Sequence, residues 1–185
     1  MPRLFVALET PPALAASLLA TLPRERGIRP TPAAQVHLTL RFIGEVDEDR
    51  AVAIDDALGT IDAIAVPVHV AGAGRFGRRG GILWAGVAPA PPLLALHAAI
   101  DLALHDVGIE PEARSFHPHL TLARCAPQAP EPLLREWVAA QRELACPPYL
   151  SRRFVLFESR LQRQGAEHRC RRAFALHEPD PDNPS

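Results

Sequence analysis

The sequence predicts an α+β fold of two pseudo-symmetric lobes, with antiparallel sheets facing a central cleft and helices on the outside. Three observations predict it. A strand–helix–strand–helix order of apolar patterning runs to about residue 87 and then starts again. The tetrapeptide His-Leu-Thr-Leu stands at 37–40 and again at 119–122, at matching points of that order. The 185 residues, 48% hydrophobic and 22% charged, suffice for one compact unit with a sizeable core.

Leu4-Phe5-Val6-Ala7-Leu8 is a short apolar run with β character, and Thr10-Pro11-Pro12 opens a helix-patterned stretch to about Leu22. Residues 24–34 form a proline-rich loop. Residues 36–43 then read as a strand and 47–58 as an amphipathic helix. Residues 66–70 and 81–87 flank a Gly/Arg turn at 72–80, which predicts an antiparallel hairpin. The order restarts as Ala90-Pro91-Pro92 leads into a helix over 93–104, followed by a strand at 118–123 and a helix at 130–141. Strands at 153–158 and 169–176 surround Gln164-Gly165. Residues 1–176 are thus expected to form a single bilobal domain. Residues 177–185, with three prolines and no apolar residue, are expected to be a flexible tail.

Net charge is formally −1, so any phosphate-binding surface must come from local clustering of cations. All 20 basic residues are arginine. The missing lysine excludes a P-loop, Schiff-base chemistry and a lysine-nucleophile nucleotidyl transfer. Cys125, Cys146 and Cys170 are odd in number and lack C-x-x-C spacing, so free thiols are expected rather than disulfides or a zinc knuckle. No apolar run approaches the roughly 20 residues that span a bilayer, and a cytoplasmic monomer is expected.

On a strand, side chains two apart share a face. Each His and Thr of the repeated tetrapeptide therefore face the cleft while both leucines enter the core. Two opposed imidazoles suit phosphodiester chemistry: an ordinary His titrates near pH ~6.5, so one can accept a proton while the other donates. Thr39 and Thr121 can donate hydroxyl hydrogen bonds to non-bridging phosphate oxygens, relieving the need for a metal. The same alternation brings Arg41 to the cleft side as a candidate substrate contact and turns Arg124 away unless a bulge intervenes. Arg75, Arg78 and Arg79 form either a basic flap or a solvated hairpin tip. Phe42, Trp84 and Phe116 read as core, and His69, His97 and His105 as structural or surface residues. His117 is a candidate for orienting His119.

The paired H-x-T-x motifs resemble those of the 2H phosphoesterases. The longer stretches resemble the family's bacterial RNA cyclic phosphodiesterase branch, formerly called 2′-5′ RNA ligases. The carriers are Leu4-Phe5-Val6-Ala7, the segment from His37 through Arg41-Phe42-Ile43-Gly44, the segment from Phe116-His117-Pro118-His119 through Ala123-Arg124, and Leu156-Phe157-Glu158-Ser159 ending in Gly165. The resemblance implies cofactor-free, metal-independent hydrolysis of RNA 2′,3′-cyclic phosphate ends to 2′-phosphomonoesters. His37 would be the acid, His119 the base and Thr39 with Thr121 the phosphate holders. A minor reverse 2′-5′ ligation is also implied. The residues alone leave the two histidine roles interchangeable. Arg29-Pro30-Thr31-Pro32 lacks an aromatic residue common there in the family, and His168 replaces a common tyrosine, so base or ribose contacts are expected to differ. The alternatives are phosphodiesterase action on small cyclic nucleotides, ADP-ribose cyclic phosphate or 2′-5′ oligonucleotides, and a non-catalytic module that binds RNA ends. A metal site at His37 and His119 is disfavoured, since no carboxylate stands at fixed spacing from either.

Overall fold

Proline and acidic residues start the helices of this chain, whose computed structural model describes residues 1–162 and 165–178. Helices α1 (Pro12–Ala20), α3 (Pro91–Asp106) and α4 (Glu131–Ala140) each carry Pro in the first turn, where its missing N–H costs nothing and its φ is already helical. Helix α2 (Glu48–Gly59) is capped by Asp47, whose side chain accepts from the Arg50 N–H at 2.7 Å. In α3, Leu93, Leu96, Ile100 and Leu104 recur at helical spacing and all four are buried.

The strands are β1 (Arg3–Glu9), β2 (Ile28–Pro30), β3 (His37–Glu45), β4 (Val66–Val68), β5 (Val70–Phe76), β6 (Gly81–Val87), β7 (His119–Cys125), β8 (Tyr149–Ser151), β9 (Arg153–Gln162) and β10 (Gly165–Ala175). One sheet runs β10-β9-β1-β3-β7-β6-β5, with β2 also on β7, and β4 pairs with β8 in a second. All the strand pairings are antiparallel. The α+β architecture of two related halves is therefore present. Strand β3 heads one lobe and β7 the other, and the two meet at a single residue pair, Leu38 with Leu120. Each half also completes its partner: β9 and β10 from the second half extend β1, while the β5–β6 hairpin from the first half extends β7.

Two expectations shift. The first hairpin is made by β5 and β6. Residues 66–68 instead pair with β8, in a two-stranded ribbon that tolerates Pro67 without an amide donor. The turn shrinks to residues 77–80, because Gly72 (φ +69°) lies at an irregularity inside β5 and Arg75 lies in the strand. Of the expected tail, His177 is tied down: its N–H donates to the Ala63 carbonyl and its carbonyl accepts from the Ala65 N–H. Residues 179–185 lie outside the described residues, as does Gln164.

A single apolar cluster joins the helices to the back of the sheet, and Leu38, Leu40, Leu120 and Leu122 belong to it with Leu8, Ile54, Leu96 and Ile100. Each of the four motif leucines is essentially inaccessible, and burying one stabilises the fold by about 2 kcal/mol. With the leucine face taken by the core, the His/Thr face is the one left to the cleft.

Candidate active site

The seam fixes the site. Leu38 and Leu120 are antiparallel partners, so carrying that register one residue either way sets His37 across from Thr121 and Thr39 across from His119. All four stand on the face opposite the leucines, each motif's histidine beside the other motif's threonine. The structure thus brings together His37, Thr39, His119 and Thr121. Neither threonine hydroxyl is engaged by another protein group among the described residues.

Each imidazole is held by the carbonyl two residues before it. His119 Nδ1 lies 2.6 Å from the His117 carbonyl oxygen, which makes it the N–H donor and leaves Nε2 as the acceptor nitrogen. The Gln35 backbone likewise interacts with the His37 ring. His117 therefore orients His119 through its main chain, while its own ring packs on Trp84. Aromatic rings surround both histidines. Phe5 stacks on His37 at 5.0 Å and His168 meets it edge-on at 5.3 Å, while Phe76 meets His119 edge-on at 5.0 Å with Trp84 beyond it. Trp84 has room because its cross-strand neighbour is Gly74, where a Cβ would come within 2.3 Å of the indole. Burial, and then the nearby His168, push His37 down to about 4. Burial also lowers His119 and His168. Both shifts favour the neutral form of the motif histidines at pH 7.

A bulge in each motif strand reverses the facing of the residues beyond the second leucine. Along β3, Ala7 pairs with Thr39 and Val6 with Arg41, skipping Leu40; along β7, Trp84 pairs with Thr121 and Leu83 with Ala123, skipping Leu122. Leu40 and Arg41 both point inward, as do Leu122 and Ala123. Arg41 is accordingly not in the cleft, contrary to the alternation. It is 2% exposed, its guanidinium meets Asp101 of α3 at 2.9 Å, and it also donates to the Glu110 carbonyl. The same bulges turn Phe42, 61% exposed, and Arg124 onto the cleft side. Those two residues occupy equivalent places in the two lobes.

The cleft encloses about 1270 Å³ and is lined by His37, Thr39 and Thr121 with Phe5, Phe42, Arg124 and His168 among others. Gln35 ties its floor to the β9–β10 hairpin by donating to the Ala166 carbonyl at 2.9 Å. Arg75 is not part of a free flap: Glu131 takes both its terminal nitrogens at 2.7 and 2.8 Å. His97 packs flat on Phe116 at 4.0 Å and lies near Asp101. All three cysteines are free, and among the described residues no His, Cys, Asp and Glu side chains cluster as a metal site. Among those residues no helix is long and apolar enough to cross a membrane.

The sequence profile of the 2′-5′ RNA ligase superfamily matches residues 10–162. The chain belongs to this superfamily. Among curated members, an RNA 2′,3′-cyclic phosphodiesterase of Aeropyrum pernix is 40% identical over 91 residues, which are 48% of this chain and 52% of that protein. The chain thus spans about half that relative's length. The RNA 2′,3′-cyclic phosphodiesterase of Escherichia coli is 33% identical over 132 residues, 69% of this chain and 74% of that one. Among solved superfamily structures, E. coli LigT superposes with a TM-score of 0.76 at 26% identity, covering 96% of this chain and 99% of that chain. LigT has also been crystallised with 3′-AMP and with phosphate. As a superfamily member, the chain carries its paired motifs at the seam between its two lobes.

Proposed function

We propose that this protein hydrolyses RNA 2′,3′-cyclic phosphate ends to 2′-phosphomonoesters by acid–base catalysis between His37 and His119. The observation that carries the reading is the Leu38–Leu120 seam, which sets two imidazoles and two hydroxyls on one open face. The names of the curated relatives agree with it.

The cyclic phosphate binds between the motifs, with its non-bridging oxygens accepting from the Thr39 and Thr121 hydroxyls. His119, whose Nδ1–H is spent on the His117 carbonyl, accepts a proton from water at Nε2 as the water oxygen attacks phosphorus. The P–O3′ bond breaks in line, and His37 protonates the leaving 3′ oxygen. The products are a 2′-phosphomonoester and a 3′-hydroxyl. Because burial lowers His37 to about 4, the ring is a strong donor once charged, and it takes up its proton as the anionic phosphate arrives beside it. With an RNA 5′-hydroxyl in place of water, the same attack on the cyclic phosphate forms a 2′-5′ linkage and needs no nucleotide cofactor, so ligation is a minor activity of the same site. No step calls on a metal.

The test uses an RNA oligonucleotide ending in a 2′,3′-cyclic phosphate, with excess chelator, on wild type, His37→Ala and His119→Ala. Formation of a 2′-phosphate, lost in both variants, is expected. A second substrate with sulfur in place of the 3′ bridging oxygen separates the roles: a thiolate leaves without an acid, so it restores turnover to His37→Ala but not to His119→Ala. Rescue of His119→Ala instead reverses the assignment, and a cyclic end left intact by the wild type refutes the enzyme reading.

A further inference from the structure

Next to the catalytic face the chain sets two arginines directly opposite one another. Arg29 of β2 and Arg124 of β7 are antiparallel register partners, so their side chains leave the same face of the sheet, and both line the cleft. Like charges in such cross-strand positions repel. Neither is paired with a carboxylate among the described residues. Arg3, the third arginine of the cleft among the described residues, differs: its register partner on β3 is Glu45 rather than another cation.

Strand β2 itself has little else to justify it. It is three residues long, ends in a proline, and is docked on the edge of β7 that β3 leaves as the lobes diverge. Just past it, the Thr31 N–H donates at 2.8 Å to the carbonyl of Leu122, the bulged residue of the second motif. The bulge that turns Arg124 into the cleft thus also anchors the segment carrying Arg29. Across the cleft the place equivalent to Arg124 is held by the exposed ring of Phe42, so one wall is aromatic and the other doubly cationic.

We infer that Arg29, beside Arg124, forms a second anion subsite that takes the internucleotide phosphodiester adjoining the terminal cyclic phosphate. This rests on the function proposed above and names its substrate class: an RNA end with at least one internal phosphate, in preference to a free nucleoside cyclic phosphate. An added anion relieves the repulsion between the two guanidiniums, and each arginine offers a planar fork to phosphate oxygens. Phosphate contacts of this kind position a strand without reading its sequence.

The experiment compares three substrates: a nucleoside 2′,3′-cyclic phosphate, a dinucleotide with the same cyclic end, and that dinucleotide with an uncharged methylphosphonate linkage. Wild type is expected to show kcat/KM about ten- to a hundredfold higher on the charged dinucleotide than on the other two, as for a hydrogen bond to a charged group. Arg29→Ala is expected to lose that advantage through KM and leave nucleoside cyclic phosphate turnover as it was. The salt dependence of log KM on the charged dinucleotide should become shallower by about 0.7. Equal wild-type rates on charged and uncharged linkages overturn the subsite whatever the variant does. An equal loss by Arg29→Ala on all three substrates overturns it as well. Turnover of none of the three overturns the function first, and the subsite with it.

Discussion

Acid should destabilise this fold through one buried ring, and the surroundings of that ring set the size of the effect. His37 is held at about 4 in the folded chain, against an ordinary 6.5. Between those values the unfolded chain binds a proton that the folded chain does not, so falling pH favours unfolding. The contribution is fully present above about pH 6.5 and is lost as pH falls toward 4. A gap of about 2.5 units at 1.36 kcal/mol per unit amounts to about 3 kcal/mol in all, of which about 2 kcal/mol is lost between pH 7 and pH 5. Urea unfolding of wild type and His37→Asn at pH 7.0, 6.0 and 5.0 measures it. His119 and His168 are also lowered and remain in both proteins, so they largely cancel in the difference. The variant should be the less stable at pH 7, and the gap should narrow by about 2 kcal/mol at pH 5. Parallel stability curves would refute a neutral, buried His37.

The same geometry sets three further outcomes. Binding of a non-hydrolysable cyclic phosphate analogue at pH 7 should take up about one proton, read by calorimetry in buffers of different ionisation enthalpy, because both motif histidines start neutral and one must become the acid. Arg41→Leu should cost about 2 kcal/mol in thermal unfolding, since it strands the Glu110 carbonyl and Asp101, while kcat/KM on an RNA end changes less than about twofold. Gly74→Ala should drive its new methyl into Trp84, costing about 1–3 kcal/mol and lowering kcat through the displaced packing on His119, with near-UV circular dichroism reporting the moved indole.

The face each motif residue takes was legible because His37-Leu38-Thr39-Leu40 and His119-Leu120-Thr121-Leu122 keep strict alternation up to the second leucine. Beyond it the rule breaks, since alternation presumes an unbroken pleat and both strands bulge there. A signal for this stands in the second copy, where Leu122 and Ala123 are apolar in succession; the repeat transfers the same inference to Leu40 and Arg41. Arg124 was recoverable on that ground. Strand β2 was not: three residues within a proline-rich loop carry no periodicity, and its pairing with β7 is set by tertiary contact. The pairing of β6 with β7 and of β9 with β1 across the halves was equally illegible, because a local pattern names strands and not their partners. The carbonyls that orient the two rings leave no mark on the sequence either, since any residue at 35 and 117 supplies one.

The bulges also explain how a duplicated motif can serve the unsymmetrical substrate proposed for it. Up to the second leucine the lobes are equivalent, and a pseudo-twofold through Leu38 and Leu120 relates His37 to His119 and Thr39 to Thr121. Such symmetry fits a phosphorus centre, where attacking and leaving oxygens lie on opposite sides. The rest of an RNA end has no such symmetry: a base lies on one side and a phosphate chain continues on another. Five residues after each histidine the bulge presents a cleft-facing position, and there the copies differ, Phe42 in the first lobe and Arg124 in the second. The inward position before it differs too. Ala123 needs nothing, while Arg41 requires Asp101 and the Glu110 carbonyl to be buried at all. Exchanging the outward pair, as Phe42→Arg with Arg124→Phe, therefore keeps the core and the four motif side chains intact. It should abolish productive binding of the RNA end without unfolding the protein, because the ring and the cation would then meet the wrong parts of the same substrate.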